Sequence, residues 1–161
     1  DQILPVFFRA MMKGYAVEHS VKGTILELPG SKTTEYVEGP FRVLDCYFSI
    51  HGTSQSFGQT VIWYDSTPVW MMQYAGAYEK EAIPFLKWAL LETYKRFKFV
   101  GGRGAPIVKK DDGVIFTYSN YVEVPNWRNF RGREEIQCHR RSHSKVLGSH
   151  TYSGRLLLST F

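Results

Sequence analysis

The chain has few cysteines and no long hydrophobic run, and each shortage excludes a class of protein. Its two cysteines, Cys46 and Cys138, lie far apart in sequence, so they do not form the disulfide framework of a small secreted domain. No apolar stretch approaches the roughly 20 residues that a membrane-spanning helix needs. The sequence also lacks the basic start, apolar run and small-residue cleavage site of a signal peptide. These absences predict a cytoplasmic protein without membrane contact.

The composition is that of a folded domain with unusually many aromatic residues. The 161 residues are 43% hydrophobic and 22% charged, which is typical of a globular chain and not of a disordered one. This length suits a single domain, which we expect to span residues 1–161. Aromatic residues make up 16% of the chain. Their large rings suit a β-rich core or a binding surface, and the core is the commoner use.

Periodic apolar residues predict two helices among strands. Residues 3–13 carry apolar side chains at three- and four-residue intervals, as a helix does. A second helix is predicted over residues 84–97, because Pro84 suits the first helical turn. Residues 59–64 and 69–74 have strand-like composition around a turn and predict a hairpin. The predicted order is a helix and four strands, followed by a second helix and four strands.

Two hairpins of the chain share a sequence pattern. Each opens with Gly-x-x-x-Ile and ends with Tyr-x-Gly, at residues 58–62 and 74–76 in the first and at 132–136 and 152–154 in the second. The shared order indicates a duplication, with repeat units at residues 3–78 and 80–157. We therefore predict an α+β fold of two pseudo-symmetric helix-plus-antiparallel-strand repeats, packed into one domain. The hairpins differ where His150 replaces Met72 and Glu134 replaces Thr60, so the second hairpin is where a specialised site is expected.

The same segments resemble a known family. The most specific part is Pro-Val-Trp-Met-Met-Gln-Tyr-Ala-Gly at residues 68–76, and the pattern continues at residues 57–59, 85–87, 103–104, 130–134 and 152–154. With these motifs the chain resembles the domain of unknown function 5680, an uncharacterised bacterial family found alone or behind the helix-turn-helix of XRE-type transcription regulators. Thr60 stands where an acidic residue is usual, and the chain lacks a helix-turn-helix segment. The resemblance implies a binding or sensing module that forms a homodimer, and it supplies no activity.

Tyrosine and tryptophan residues are the candidates for ligand contact. Their rings combine a large apolar body with a polar tip, which suits a pocket or a protein interface. The alternative, that most of them fill the core, stays open. We expect an unknown small molecule or protein partner and no cofactor, with ligand contacts from Tyr47, Trp63, Trp70, Tyr74, Tyr118 and Tyr152.

Glu134 and His150 are the candidates for proton transfer. They lie on the two strands of the second hairpin, where a carboxylate and an imidazole can exchange a proton. The alternative functional hypothesis is therefore a small hydrolase-like enzyme that uses this pair. The simpler interpretation is an ion pair across the surface of the hairpin. Enzyme activity stays open, because no catalytic motif is present.

A basic stretch late in the chain is a weaker candidate for nucleic-acid contact. The net charge is +5, and much of it falls in one stretch, at Arg128, Arg131, Arg133, Arg140, Arg141 and Lys145. Such clustering attracts phosphates. Glu134 and Glu135 interrupt the stretch, however, and a solvated hairpin of mixed charge is the commoner structure. Nucleic-acid binding is therefore a possible function that we do not favour.

Neither a metal site nor a phosphate loop is predicted. Cys138, His139, His143 and His150 have ligand chemistry, but adjacent strand residues point to opposite faces and the spacing fits no standard zinc motif. The glycine-rich residues 101–104 follow a helix, whereas phosphate-binding glycines precede one. We interpret this segment as a chain reversal in which Arg103 reaches the last carbonyls of the helix.

Overall fold

The structure, a computed structural model, describes residues 2–14, 16 and 22–158. Along these residues lie two helices, one short 3₁₀ turn at Lys80–Ala82 and nine strands. The helices are α1 (Ile3–Lys13) and α2 (Ile83–Tyr94). The strands are β1 (Gly23–Ile25), β2 (Leu28–Glu38), β3 (Phe41–Ser49), β4 (Gln55–Tyr64), β5 (Thr67–Tyr78), β6 (Ile107–Asp111), β7 (Val114–Asn126), β8 (Asn129–Arg140) and β9 (His143–Leu156).

All nine strands belong to one sheet in the order β1-β2-β3-β4-β5-β9-β8-β7-β6. Neighbouring strands are antiparallel throughout. Seven of the eight pairs join strands that are consecutive along the chain. The exception is the central pair, in which β5 meets β9 and Tyr74 lies opposite Tyr152.

The predicted α+β fold of two packed repeats is wrong. The described residues are 59% strand and 17% helix, which makes the fold largely β. The two groups of strands do not pack face to face, because β5 and β9 hydrogen-bond to each other and join them edge to edge in one sheet. Pairing satisfies the backbone groups that a free strand edge would leave open. The domain limits at 1–161 and the unit limits at 3–78 and 80–157 stay predictions.

Both helices cover the same part of the structure. Helix α1 has the predicted limits, whereas α2 ends at Tyr94, three residues before the predicted end. Phe7 of α1 packs on Trp70 of β5 and on Tyr94 of α2, with ring centroids 5.1 and 5.9 Å apart. Within the described part of the chain, no helix is both long and apolar enough to cross a membrane.

The sheet therefore has two different faces at its centre. Successive strand residues point to opposite sides, and on β5 Trp70, Met72 and Tyr74 are buried while Gln73 and Ala75 are exposed. We call the side of Trp70 the helix-side face, because Phe7 of α1 packs there. The side of Gln73 and Ala75 is called the open face.

Candidate functional site

The open face carries a cavity of about 670 Å³. It lies across the middle of the sheet, where β5 pairs with β9, and extends to Leu28 of β2 on one side and to Glu123 of β7 on the other. We call this cavity the trough. Its lining includes Phe48, Phe57, Gln59, Gln73, Ser153 and Arg131.

The trough has a floor of small side chains beside an aromatic wall. Ala75 of β5 lies opposite Thr151 of β9, and Phe57 of β4 lies opposite Ala75 on its other side. Phe57 stacks on Phe48 of β3, with ring centroids 4.8 Å apart and an interplanar angle of 14°. The short side chains of the two central strands thus leave space beside the stacked rings. Phe57 remains 47% exposed, and its ring faces this space.

The opposite wall of the trough is charged. Arg131 of β8 forms an ion pair with Glu123 of β7, with Nε and Oε2 2.8 Å apart. These two side chains are 65% and 61% exposed. The guanidinium of Arg133 lies over the ring of Tyr121, 4.9 Å from its centroid. One side of the trough is therefore aromatic, and the other carries the Arg131–Glu123 ion pair with Arg133 two residues further along β8.

A row of polar side chains connects the two walls. Gln59, Gln73, Ser153 and Arg131 lie opposite one another across β4, β5, β9 and β8. Gln73 Nε2 donates to Ser153 Oγ at 3.2 Å. The row offers amide and hydroxyl groups to a bound molecule along the whole width of the floor.

Two tyrosines border the trough and anchor its floor from the helix-side face. The Tyr74 hydroxyl donates to Asp45 Oδ1 at 3.0 Å, and Thr60 Oγ1 donates to the same oxygen at 2.8 Å. The Tyr152 hydroxyl donates to Asn120. Burial raises the pKa of Asp45, although the hydroxyls of Tyr74 and Thr60 both donate to it. Each ring thus crosses one neighbouring strand to reach the strand beyond.

Two glycines make this crossing possible. A Cβ on Gly58 would lie 2.7 Å from the Tyr74 hydroxyl oxygen, and a Cβ on Gly132 would lie 2.4 Å from that of Tyr152. A Cβ atom essentially never comes this close to another nonbonded heavy atom, so only glycine fits beneath each ring. The glycine and the tyrosine of each matched hairpin motif are thus a packing pair.

The predicted aromatic ligand contacts do not converge on one surface. Tyr74 and Tyr152 border the trough. Trp70 and Tyr118 are fully buried in the core. Tyr47 is also buried. Trp63 lies away from the trough, where the guanidinium of Arg42 sits 5.0 Å from its ring.

Glu134 lies at the centre of a buried polar network on the helix-side face. Arg103 Nε lies 3.2 Å from both carboxylate oxygens, and the hydroxyls of Tyr78 and Tyr118 donate to them as well. Burial raises the pKa of Glu134, but the charge and hydrogen bonds of Arg103 outweigh it, and the pKa lies below its ordinary value. The expectation that Arg103 reaches the end of the helix is wrong, because its guanidinium binds this carboxylate.

His150 extends the network toward β4. It lies opposite Glu134 in the β8–β9 pair and is 4% exposed. Its Nε2 is 3.0 Å from Ser56 Oγ and its Nδ1 is 3.9 Å from Glu134 Oε1. Nδ1 has no hydrogen-bond partner among the described residues. Burial and the charge of Arg103 lower the pKa of His150 to about 3, so the ring is neutral at neutral pH.

The predicted pair of Glu134 and His150 is therefore brought together, but inside the protein. The interpretation as a surface ion pair is wrong, because both side chains are buried. Ser56 lies next to His150, and His150 lies next to Glu134, which is the spatial order of the nucleophile, base and acid in a hydrolase triad. None of the three lines the trough, and Arg103 already neutralises Glu134.

The basic residues of the late stretch do not form one surface. Arg131 lines the trough, Arg133 lies over Tyr121 two residues further along β8, and Arg128 stacks on Trp127 in the turn before β8. The other three lie near the far end of β8, roughly 25–30 Å from Arg131 at the rise of an extended strand. There Arg140 pairs with Glu81, Lys145 pairs with Glu79, and Arg141 is exposed in the turn.

The cysteine and histidines of the second hairpin also stay apart. Cys138 is buried, whereas His143 is exposed at the start of β9. His139 Nδ1 lies 2.8 Å from Ser144 Oγ. Among the described residues, no group of three or more His, Cys, Asp or Glu side chains is placed to hold a metal ion.

Several residues of the trough and the network were not predicted from the sequence. The polar and small residues at alternate positions of β5, Gln73 and Ala75, are the signal for an open face. Arg103 had a signal as well, since Gly102 and Gly104 flank it. A Cβ on these glycines would lie 2.3 Å from the Tyr152 ring and 2.7 Å from the Tyr118 ring. Ser56 had no distinguishing signal.

Residues 45–157 match the model of the family described as domain of unknown function (DUF5680). The match covers more than two thirds of the chain and includes every lining residue of the trough except Leu28. No curated protein and no solved structure matches the chain. The motifs shared by the two hairpins and the buried network both lie within the matched residues. The chain belongs to the domain of unknown function 5680 family.

Proposed function

We propose that this protein is a binding module that holds a small molecule in the trough. The observation that carries the proposal is a cavity of about 670 Å³ on the face of the sheet that the helices leave open. Sites for small molecules are commonly concave spaces of about 300–1,000 Å³ with an apolar lining and a few polar groups. The trough has both components, in the stacked phenylalanines and in the row from Gln59 to Arg131.

The exposed ring of Phe57 favours a ligand that contains a flat ring. A large aromatic side chain that is 47% exposed and stacked on Phe48 leaves its other surface in water. Covering that surface with an apolar ring is favourable, because it removes apolar area from water and adds an aromatic contact. The small Ala75 and Thr151 beside it leave the space that such a ring needs.

Contacts on the helix-side face hold the floor of the trough rigid. The hydroxyls of Tyr74 and Tyr152 are anchored to buried partners, and the Arg103–Glu134 ion pair packs behind them. The Arg103 guanidinium lies over the Tyr74 ring, 4.6 Å from its centroid. A floor fixed before binding lowers the entropic cost of association.

The resemblance to the family adds three expectations to this role. We propose that the family is bacterial, that its members also follow XRE-type helix-turn-helix segments, and that they form homodimers. A sensing domain linked to a DNA-binding segment would use the trough to detect its ligand.

The test uses the neutral fluorescent probe phenylnaphthylamine and two tryptophan variants. Ala75→Trp fills the floor of the trough, whereas Val108→Trp adds the same side chain at an exposed position of the edge strand β6. We expect saturable binding of one probe per chain, weakened at least tenfold by Ala75→Trp and unchanged by Val108→Trp. Thermal unfolding checks that both variants are folded. Equal binding by the wild type and both variants, or no saturable binding, would contradict the proposal.

A hydrolytic function is the second candidate, and it rests on one contact. Ser56 Oγ lies 3.0 Å from His150 Nε2, as a nucleophile lies next to its base. With a pKa of about 3, however, His150 takes up a proton poorly at neutral pH. A fluorophosphonate probe that labels Ser56 in the wild type and not in His150→Gln would support this function. Absence of the label in the wild type would exclude it.

A further inference from the structure

The two walls of the trough differ in charge as well as in shape. The aromatic wall, with Phe48 and Phe57, is formed by β3 and β4. The charged wall, with Arg131 and Glu123, is formed by β7 and β8, and we call it the arginine wall. Gln59 beside Phe57 and Arg131 on the far wall are three strand spacings apart, which is about 14 Å. A molecule that spans the floor therefore contacts aromatic carbon at one end and a guanidinium at the other.

The arginine wall has an excess of positive charge. Arg131 and Arg133 of β8 and Arg155 of β9 share the open face with Glu123 and Glu135, as their positions in the strand register show. This part of the open face thus carries three cations and two anions. Glu123 and Glu135 hold Arg131 and Arg133 at 2.8 and 3.7 Å, so the local charge is mostly balanced and the excess is one unit.

The ion pair at the end of the trough can exchange its partner. Arg131 and Glu123 are both more than half exposed, and exposed pairs of this kind contribute about 0–1 kcal/mol. A guanidinium binds carboxylate, sulfonate or phosphate oxygens through two parallel hydrogen bonds. An anionic group at the end of the floor can therefore replace Glu123, or join it, on Arg131.

We propose that the ligand of the trough is a planar aromatic anion, with a ring stacked on Phe57 and its anionic group on Arg131. This inference rests on the proposed function and names the chemistry of its ligand. Gln73 and Ser153, between the two ends, supply hydrogen bonds to heteroatoms on the edge of the ring or on its linker. The anionic group is a carboxylate, sulfonate or phosphate, which Arg131 binds by the same geometry.

The experiment compares two probes that share one ring system. Anilinonaphthalene sulfonate is an anion, and phenylnaphthylamine is the same set of rings without the sulfonate. We expect the anion to bind the wild type at least tenfold more tightly than the neutral probe in fluorescence titrations at low salt. Arg131→Gln should remove this preference by weakening the binding of the anion at least tenfold. Phe57→Leu should weaken the binding of both probes.

Arg128→Gln is the matched control, because Arg128 carries the same charge near the same strand but stacks on Trp127 outside the trough. It should retain the preference for the anion. Equal affinity of the two probes, or a preference that survives Arg131→Gln, would overturn the charge assignment. The proposed function would still stand in that case if Ala75→Trp removes binding of the neutral probe. If neither probe saturates, both the ligand class and the proposed function fail.

Discussion

Replacing Arg103 with methionine tests the buried network behind the trough. Methionine keeps much of the length of the side chain but removes the cation that lies against Glu134, a residue that is fully buried. Breaking a buried ion pair by removing one partner costs about 3–5 kcal/mol, because the remaining charge is left without compensation. Domains of this size are stable by about 5–15 kcal/mol, so Arg103→Met is expected to lose a large part of its stability.

The loss should depend on pH in a defined direction. In the wild type the pKa of Glu134 is below its ordinary value of 4.5, so its contribution is present above that value and is lost as the pH falls through the folded-state pKa. Without Arg103, burial outweighs the remaining hydrogen bonds from Tyr78 and Tyr118 and raises the pKa of Glu134. The protonated carboxyl is then favoured in the folded variant, so the difference in stability between wild type and variant should narrow as the pH falls.

Urea denaturation, followed by tryptophan fluorescence at about pH 7 and about pH 5, measures both effects. The double variant Arg103→Met with Glu134→Gln removes both charges and should recover much of the loss at about pH 7. Arg128→Met, at an exposed site, serves as the control and should change stability by less than about 0.5 kcal/mol. A loss below about 1 kcal/mol in Arg103→Met, or a loss equal at both pH values, would refute the reasoning.

Three further predictions concern the packing and the titration of the helix-side face. Gly132→Ala should cost about 1–3 kcal/mol in thermal unfolding, because its Cβ would lie 2.4 Å from the Tyr152 hydroxyl oxygen; an unchanged Tm would contradict this packing. Tyr74→Phe removes a hydrogen bond to the buried Asp45 and should cost about 1–3 kcal/mol in urea denaturation, whereas no loss would show that the bond is dispensable. Burial holds the pKa of His150 at about 3, while the unfolded histidine takes up a proton near 6.5. Wild-type stability should therefore fall below about pH 6, by up to about 1.4 kcal/mol per pH unit more than that of His150→Gln, and parallel pH profiles would disprove this.

The sequence located the helices well because helical periodicity is a local property. Apolar residues three and four positions apart predicted α1 with its observed limits and α2 within three residues. Pro-Gly is a common turn signal, yet residues 29–30 lie inside β2, where Gly30 adopts a φ of +82°. The Pro-Gly signal is ambiguous, because a glycine with positive φ serves an irregular strand as well as a turn.

The fold class was mispredicted because the decisive contact is not local. The sequence motifs showed two similar hairpins, but nothing in either hairpin specifies that β5 pairs with β9. That pairing decides between two sheets packed face to face and one sheet of nine strands. Predicting it would require knowing which strand edges hydrogen-bond to each other when the strands are more than 70 residues apart in sequence.

The candidate site was predictable only where its members share a hairpin. Glu134 and His150 are cross-strand neighbours in β8 and β9, so their contact followed from the hairpin alone. Ser56 and Arg103 reach the same network from β4 and from the segment after α2, and their sequence positions gave no reason to group them. The trough combines side chains from both halves of the sheet and so depended on the unpredicted pairing of β5 with β9.

The central position of β9 has a consequence for the synthesis of the chain. Of the nine strands, β9 is the last to leave the ribosome, although it belongs between β5 and β8. Until it is made, both of those strands present open edges, which are prone to pairing with other chains. Half of the floor of the trough, including Thr151 and Ser153, also arrives only with this strand. A nascent chain therefore completes the centre of its sheet and the floor of its trough when this one strand is made.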